Sequence, residues 1–263
     1  MDLGLEGKAA LVTASSKGLG KATALALARE GVHVVICARG EEALRKTEAE
    51  IRALGGGEVE AVAMDVSHLD SPAKLAAKTV ERFGRLDILV CNAGGPPPGP
   101  FTQFSDEDWQ NALNVNLMTT VRLCREAIPH MKSQGGGKIF TITTMGAKQP
   151  LDNLVLSNVS RAGVTALVKT LANDLAGDNI RVNNIMPGVV YTDRIQFLLE
   201  NEAKARDVTV EEAKADREKN IPLGRMGRPE ELGNLIVFLA SEAGGYITGS
   251  SIAVDGGLIK GLF

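Results

Sequence analysis

Cysteine, histidine and tyrosine are scarce in this chain: three, three and two respectively in 263 residues, with a single tryptophan. Cys37, Cys91 and Cys124 form no C-x-x-C pair and are odd in number, so buried free thiols are expected rather than a disulfide framework. His33, His68 and His130 are scattered, and no metal site is expected from them. Neither sign of charge prevails: 29 Lys plus Arg against 32 Asp plus Glu give a net of −3. Without a strong positive field, nucleic-acid binding is excluded as the main task. No apolar run approaches the ~20 residues of a membrane span. The start, Met1-Asp2-Leu3-Gly4-Leu5-Glu6, has neither a basic region nor a long apolar stretch, so no signal peptide is expected and a cytoplasmic location is.

What the chain does have is apolar sequence in short, regular pieces. Hydrophobic residues make up 44% against 23% charged, enough for a substantial core at this length. Ala9 to Thr13, His33 to Cys37, Val59 to Met64, Leu86 to Cys91, Lys138 to Thr143, Ile180 to Met186 and Ser251 to Val254 read as strands. They are rich in Val and Ile and continuous rather than alternating, as strands covered on both faces are. Between them, Gly20 to Glu30, Glu41 to Leu54, Pro72 to Phe83, Asp106 to Lys132, Val159 to Leu175 and Pro229 to Ser241 read as helices. Ser105 caps the fourth, Pro229 opens the last and Gly31 stops the first.

Strand and helix in this alternation predict one α/β domain over residues 1–263. Its sheet is doubly wound and parallel, about seven strands with helices on both faces. Two stretches break the rhythm. Gly94-Gly95-Pro96-Pro97-Pro98-Gly99-Pro100 is a stiff loop directly after the fourth strand. A charged, helical insertion begins at Tyr191, after the sixth strand, and is either a solvated surface helix or a substrate lid spanning 191–228. Ligands of open α/β sheets bind outside the carboxyl ends of the strands, so both segments would flank a site.

The first strand runs into Thr13-Ala14-Ser15-Ser16-Lys17-Gly18-Leu19-Gly20 and then a helix. Two glycines there let backbone approach a pyrophosphate, and the helix start supplies free N–H groups. Ala14 stands where a dinucleotide fingerprint carries its first glycine, a place alanine fits if its φ is negative. That loop, Asp65-Val66, Cys91-Asn92-Ala93-Gly94, Val115-Asn116-Leu117, Asn184-Ile185-Met186-Pro187-Gly188 and Val254-Asp255-Gly256-Gly257, in this order, resemble the short-chain dehydrogenase/reductase family over nearly the whole chain. Arg225-Met226-Gly227-Arg228-Pro229-Glu230-Glu231 followed by Gly249-Ser250 is similar to the family's bacterial 3-oxoacyl-(acyl carrier protein) reductase branch.

The resemblance implies a single Rossmann-type domain that binds a nicotinamide coenzyme and acts on a small carbonyl or alcohol. It places Thr13, Ser15, Ser16, Lys17, Gly18, Leu19 and Gly20 at the phosphate-binding turn, with Gly18 and Gly20 under the diphosphate. It places Asp65 and Val66 at the adenine, and Asn92, Ala93 and Gly94 along the riboses. Pro187, Gly188, Val190 and Thr192 fall at the nicotinamide carboxamide. It also implies a homotetramer or homodimer. The second strand ends in Arg39, not in the carboxylate that would bind adenosine ribose hydroxyls, and Lys17 projects nearby. Two cations suit a 2′-phosphate, so NADP is expected rather than NAD.

The catalytic set departs from the family. Thr144 takes the place of its serine and Asn116 matches its helix asparagine, but the Tyr-x-x-x-Lys element is missing: Ser157 and Arg161 stand at its two positions. A tyrosine of pKa ~10 can be brought near neutrality by a cation. An aliphatic hydroxyl is nearer water at ~15.7 and cannot serve as a comparable acid. Arg161 can bond ribose hydroxyls but stays protonated. Lys148, Tyr191 or a water held by Ser157, Asn116 and Asn158 are then the candidate proton routes. The alternative is a nucleotide-binding homologue without catalysis. Ser157 as a nucleophile is set aside, since no base and no G-x-S-x-G elbow accompany it.

Overall fold

The computed structural model describes residues 3–262. Seven strands form one parallel sheet: β1 (Ala9–Thr13), β2 (His33–Ala38), β3 (Val59–Ala63), β4 (Ile88–Cys91), β5 (Gly137–Ile142), β6 (Ile180–Pro187) and β7 (Ser251–Val254). Their spatial order is β3-β2-β1-β4-β5-β6-β7. In register, Leu11 of β1 lies beside Val35 on one side and Leu89 on the other.

The unbroken apolar runs follow from double coverage. Ala10 and Val12 point into one buried cluster together with Val34 and Ile36, while Leu11 points into a second with Val35 and Leu89. Helices α1 (Gly18–Arg29), α2 (Glu41–Ala53) and α9 (Pro229–Ala240) cover the first face. On the second lie α3 (Ser71–Phe83), α5 (Thr119–Ser133) and α6 (Val155–Leu175). Leu11, Leu27, Leu44 and Leu89 are at most 1% exposed, and truncating any one to Ala would cost about 2–5 kcal/mol.

Two helices differ from the sequence reading. The expected single helix from Asp106 to Lys132 is interrupted: α4 (Asp106–Leu113) and α5 are joined by one π-helical turn, Asn114–Met118. The turn is pinned by Thr119 Oγ1 donating to the Asn114 carbonyl at 2.9 Å and by Arg122 donating to Asn114 Oδ1 at 2.7 Å. Helix α6 begins at Val155, four residues before the expected Val159, and so includes Ser157 and Asn158. All three cysteines are free and buried, as expected.

The insertion after β6 folds into α7 (Asp193–Arg206) and α8 (Val210–Glu218). It is not a lone solvated helix. Leu199, Ala203, Ala213, Ile221 and Met226 form a small core of their own there. Charge pairs also tie the helices: Glu202 of α7 accepts from Arg217 of α8 at 2.8 Å, and Arg206 of α7 donates to Asp216 of α8 at 2.6 Å.

Candidate active site

The sheet reverses its winding between β1 and β4, and the crevice expected at such a switch point is present as a cavity of about 690 Å³. Ser16, Lys17, Arg39, Asp65, Val66, Ala93 and Gly94 all line it. The loop after β1 forms its floor. A Cβ on Gly20 would lie 2.5 Å from the Ala14 carbonyl oxygen and 2.8 Å from Asn92 Nδ2, so no side chain fits. Gly18 is left-handed at φ +54°. No side chain caps α1, which leaves its first N–H groups open to an anion.

Ala14 does not have the negative φ expected of it. Its φ is +48°, a conformation that costs a residue with a Cβ roughly 1–2 kcal/mol. Neighbouring bonds impose it: Asn92 Nδ2 donates to the Ala14 carbonyl at 3.2 Å, and the Ser15 N–H donates to the Cys37 carbonyl at 3.0 Å. Thr13 and Ser15 are buried, and their hydroxyls serve the loop. Thr13 Oγ1 donates to the Asn92 carbonyl and Ser15 Oγ to the Val12 carbonyl, each at 2.7 Å. Leu19 packs on the core.

At the rim, Asp65 Oδ1 accepts from the Ser67 N–H at 2.9 Å and from its hydroxyl at 2.7 Å. Partial burial alone would raise the Asp65 pKa, but the Ser67 bonds and the Arg39 guanidinium outweigh it and hold the carboxyl below its usual value. Arg39 is 3.9 Å from Asp65 and its side chain is 82% exposed, so that pairing holds it only weakly. Lys17 is also exposed. Both cations are available to a ligand.

The catalytic side is built differently. Arg161 is 9% exposed and turns its guanidinium onto backbone carbonyls. Nη1 donates to Thr143 at 2.5 Å and Ile142 at 3.5 Å, and Nη2 to Ala93 at 3.4 Å and Gly94 at 3.5 Å. Nε is buried and has no partner among the described residues. No carboxylate answers the charge there. Burial, and then the like charge of Arg194, push the Arg161 pKa down to about 10, so it remains a cation at neutral pH. Ser157 is 8% exposed, and its hydroxyl has no partner among the described residues. Thr144 Oγ1 only accepts, from the Gly146 N–H at 3.3 Å.

The π turn buries Asn116, whose Nδ2 donates to Ser160 Oγ at 2.9 Å; Ser160 in turn donates to the Leu156 carbonyl at 2.6 Å. Asn158 is also committed, with both ends of its amide on the Leu151 backbone. Of the three residues expected to hold a water, Asn158 is engaged at both ends of its amide, whereas Ser157 Oγ and Asn116 Oδ1 have no hydrogen-bond partner among the described residues. Lys148 is exposed and, like Thr144, Ser157 and Arg161, does not itself line the cavity. Tyr191 is 40% exposed, with its ring facing Lys214 Nζ at 5.2 Å.

The loop after β6 closes over this side. Val190 is buried and bridged to Gly227, and Gly188 packs tightly on the Asp255 backbone. A Cβ on Gly18 would meet the Thr192 methyl at 3.5 Å, and one on Gly95 would meet Arg194 Nη1 at 2.7 Å. The start of α7 thus touches both the glycine loop and the proline loop. Arg194 and Ser160 were not anticipated. Arg194 sits in an insertion without a motif, and Ser160 is brought to Asn116 across 44 positions.

Comparison with known proteins agrees with this fold. Residues 13–259 match the family model described as enoyl-(acyl carrier protein) reductase. The chain is 36% identical to the 3-oxoacyl-[acyl-carrier-protein] reductase FabG of Thermotoga maritima, over 97% of this chain and 99% of that one. It is 36% identical to dehydrogenase/reductase SDR family member 4 of Sus scrofa, over 96% and 88% of the two chains. Among solved structures, the L-sorbose reductase of Gluconobacter frateurii complexed with NADPH and L-sorbose superposes with a TM-score of 0.96 at 36% identity, covering 100% of each chain.

Proposed function

The chain belongs to the short-chain dehydrogenase/reductase family, and on that premise we propose that it is an NADP(H)-dependent oxidoreductase reducing a carbonyl, 3-oxoacyl-like or another small ketone, without an ionisable donor in the customary place. The observation that carries this reading is a crevice with two exposed cations, Lys17 and Arg39, at its rim and, behind its Ala93–Gly94 wall, a buried Arg161 that bonds both carbonyls and has no carboxylate partner among the described residues.

The residues present fit the coenzyme. Gly18, Gly20 and the open start of α1 would take the diphosphate, Lys17 and Arg39 the 2′-phosphate, and Asp65 with Val66 the adenine. Pro187, Gly188, Val190 and Thr192 would hold the carboxamide end. When bound, the nicotinamide supplies the hydride. The protein's own share is to orient and stabilise. Thr144 and Ser157 hydroxyls donate to the substrate oxygen, and the Arg161 charge offsets the negative charge that builds on it. The proton comes from water reaching Ser157, because no titrating side chain occupies that position. Slow turnover follows from the missing general acid. Assembly into a dimer or tetramer is part of the same proposal: Met118, at the end of the π turn that leads into α5, and Val159 on α6 stand 37% and 48% exposed.

Calorimetry with NADPH and NADH, followed by a panel of 3-oxoacyl thioesters, diketones and sugars, tests the reading. Tighter binding of NADPH and measurable oxidation with one substrate class are expected. NADPH binding without turnover across the panel would reduce the protein to a nucleotide-binding homologue. Failure to bind either coenzyme would overturn both readings.

A further inference from the structure

A second cavity lies at the opposite end of the sheet. The amino ends of β4, β5 and β6 and the residues just before β1 enclose a polar space of about 160 Å³. Among the described residues, four cations, Lys8, Arg85, Lys138 and Arg181, line it against two carboxylates, Asp87 and Glu242. Asp87 is already engaged. Arg85 reaches it with two bonds of 2.6 Å, the Ala9 N–H donates to it at 2.8 Å and Gln134 Nε2 at 3.4 Å, while Lys8 Nζ stands farther off at 3.9 Å with its side chain 38% exposed. Arg181 is anchored through the Gly245 carbonyl and, at 2.9 Å, Asn179 Oδ1, which leaves Nη2 without a partner among the described residues.

Lys138 is the anomaly. It is the second residue of β5, is 8% exposed, and its Nζ has no hydrogen-bond partner among the described residues. Burial, then the charges of Arg181 and Lys8, press its pKa down, while Glu242 pulls it up. Buried polar groups without partners are rare, and a bound ion is one of the ordinary reasons for one. Water could fill the donor positions of Lys138 but would not answer the surplus of positive charge.

We propose that this cavity binds a small phosphate-type oxyanion, with Lys138 at its floor and Lys8 and Arg181 at its walls. A tetrahedral dianion offers enough oxygens for all three cations, which a monocarboxylate does not. At about 160 Å³ the space is far smaller than the 690 Å³ crevice, so the ligand is inorganic phosphate or a small phosphate ester rather than a dinucleotide. Occupancy would stabilise the fold by mass action, since the unfolded chain has no such cluster.

Titration calorimetry of the full chain at fixed ionic strength, with inorganic phosphate in one arm and glycerol 3-phosphate in the other, tests this. One saturable site per chain is expected in at least one arm, and the arm shows which source fits. Lys138→Met should weaken it at least about tenfold and Lys8→Met several-fold, whereas Lys46→Met on exposed α2 should leave it unchanged. In thermal unfolding the wild type should rise with ligand and Lys138→Met should not. Heats no larger than those with chloride in both arms would overturn the proposal. So would equal affinity in Lys138→Met, or, were that variant unfolded, in Lys8→Met.

Discussion

The two sides of the crevice use their polar groups in opposite ways. On the β1–β3 side the hydroxyls of Thr13 and Ser15 are tied to backbone, while the cations Lys17 and Arg39 are exposed and Arg39 is held only by a 3.9 Å pairing with Asp65. On the catalytic side the cation Arg161 is buried against four carbonyls, while the Ser157 hydroxyl is unengaged. A free cation at a rim recruits an anion. A buried one cannot leave its carbonyls and acts only through its field. On the proposed function, this difference lets a coenzyme framework persist while the proton chemistry beside it changes. The two sides are built mainly from different strand ends, β1 to β3 against β5 and β6, and they meet after β4, where Arg161 of α6 bonds the Ala93 and Gly94 carbonyls.

The comparison breaks most visibly at Gly20. Gly20→Ala puts a methyl within 2.5 Å of the Ala14 carbonyl, so NADPH affinity measured by calorimetry should fall by at least ~100-fold, about 2.7 kcal/mol. Joining Ser157→Tyr to Arg161→Lys restores a phenol beside a lysine. Turnover at saturating NADPH should then rise by roughly 10- to 100-fold with little change in coenzyme affinity, because general acid catalysis is worth 10²–10⁴. Arg39→Ala should cost about tenfold in NADPH affinity and leave NADH unchanged, which isolates the 2′-phosphate contact. The smallest effect is expected at Ala14. Ala14→Gly relieves a left-handed alanine but loosens the unfolded chain, a net gain of roughly 0.5 kcal/mol in denaturant unfolding.

Periodicity made the sheet legible. Each of the seven strands falls within two residues of its expected limits because strands buried on both faces leave continuous Val- and Ile-rich runs. The π turn at Asn114–Met118 was not legible, since apolar spacing runs through it unchanged and only Thr119 and Arg122 reveal the opened backbone. The conformation of Ala14 was hidden for a similar reason: it is set by Asn92, 78 positions away. Sequence spacing named Ser157 and Arg161, yet it could not say which way the guanidinium turns. That depends on where the carbonyls of β4 and β5 end. Lys138 read simply as the first residue of a strand, and its isolation comes from Arg181 and Lys8 converging across the sheet.

The central claim is that no titrating side chain delivers the proton. The pH dependence of NADPH-driven reduction between pH 6 and 9, with the best carbonyl of the panel, tests it most directly. The account predicts a kcat profile without an inflection from an enzymic acid, unaltered in Lys148→Met and in Tyr191→Phe. A descending limb that either substitution abolishes would contradict it.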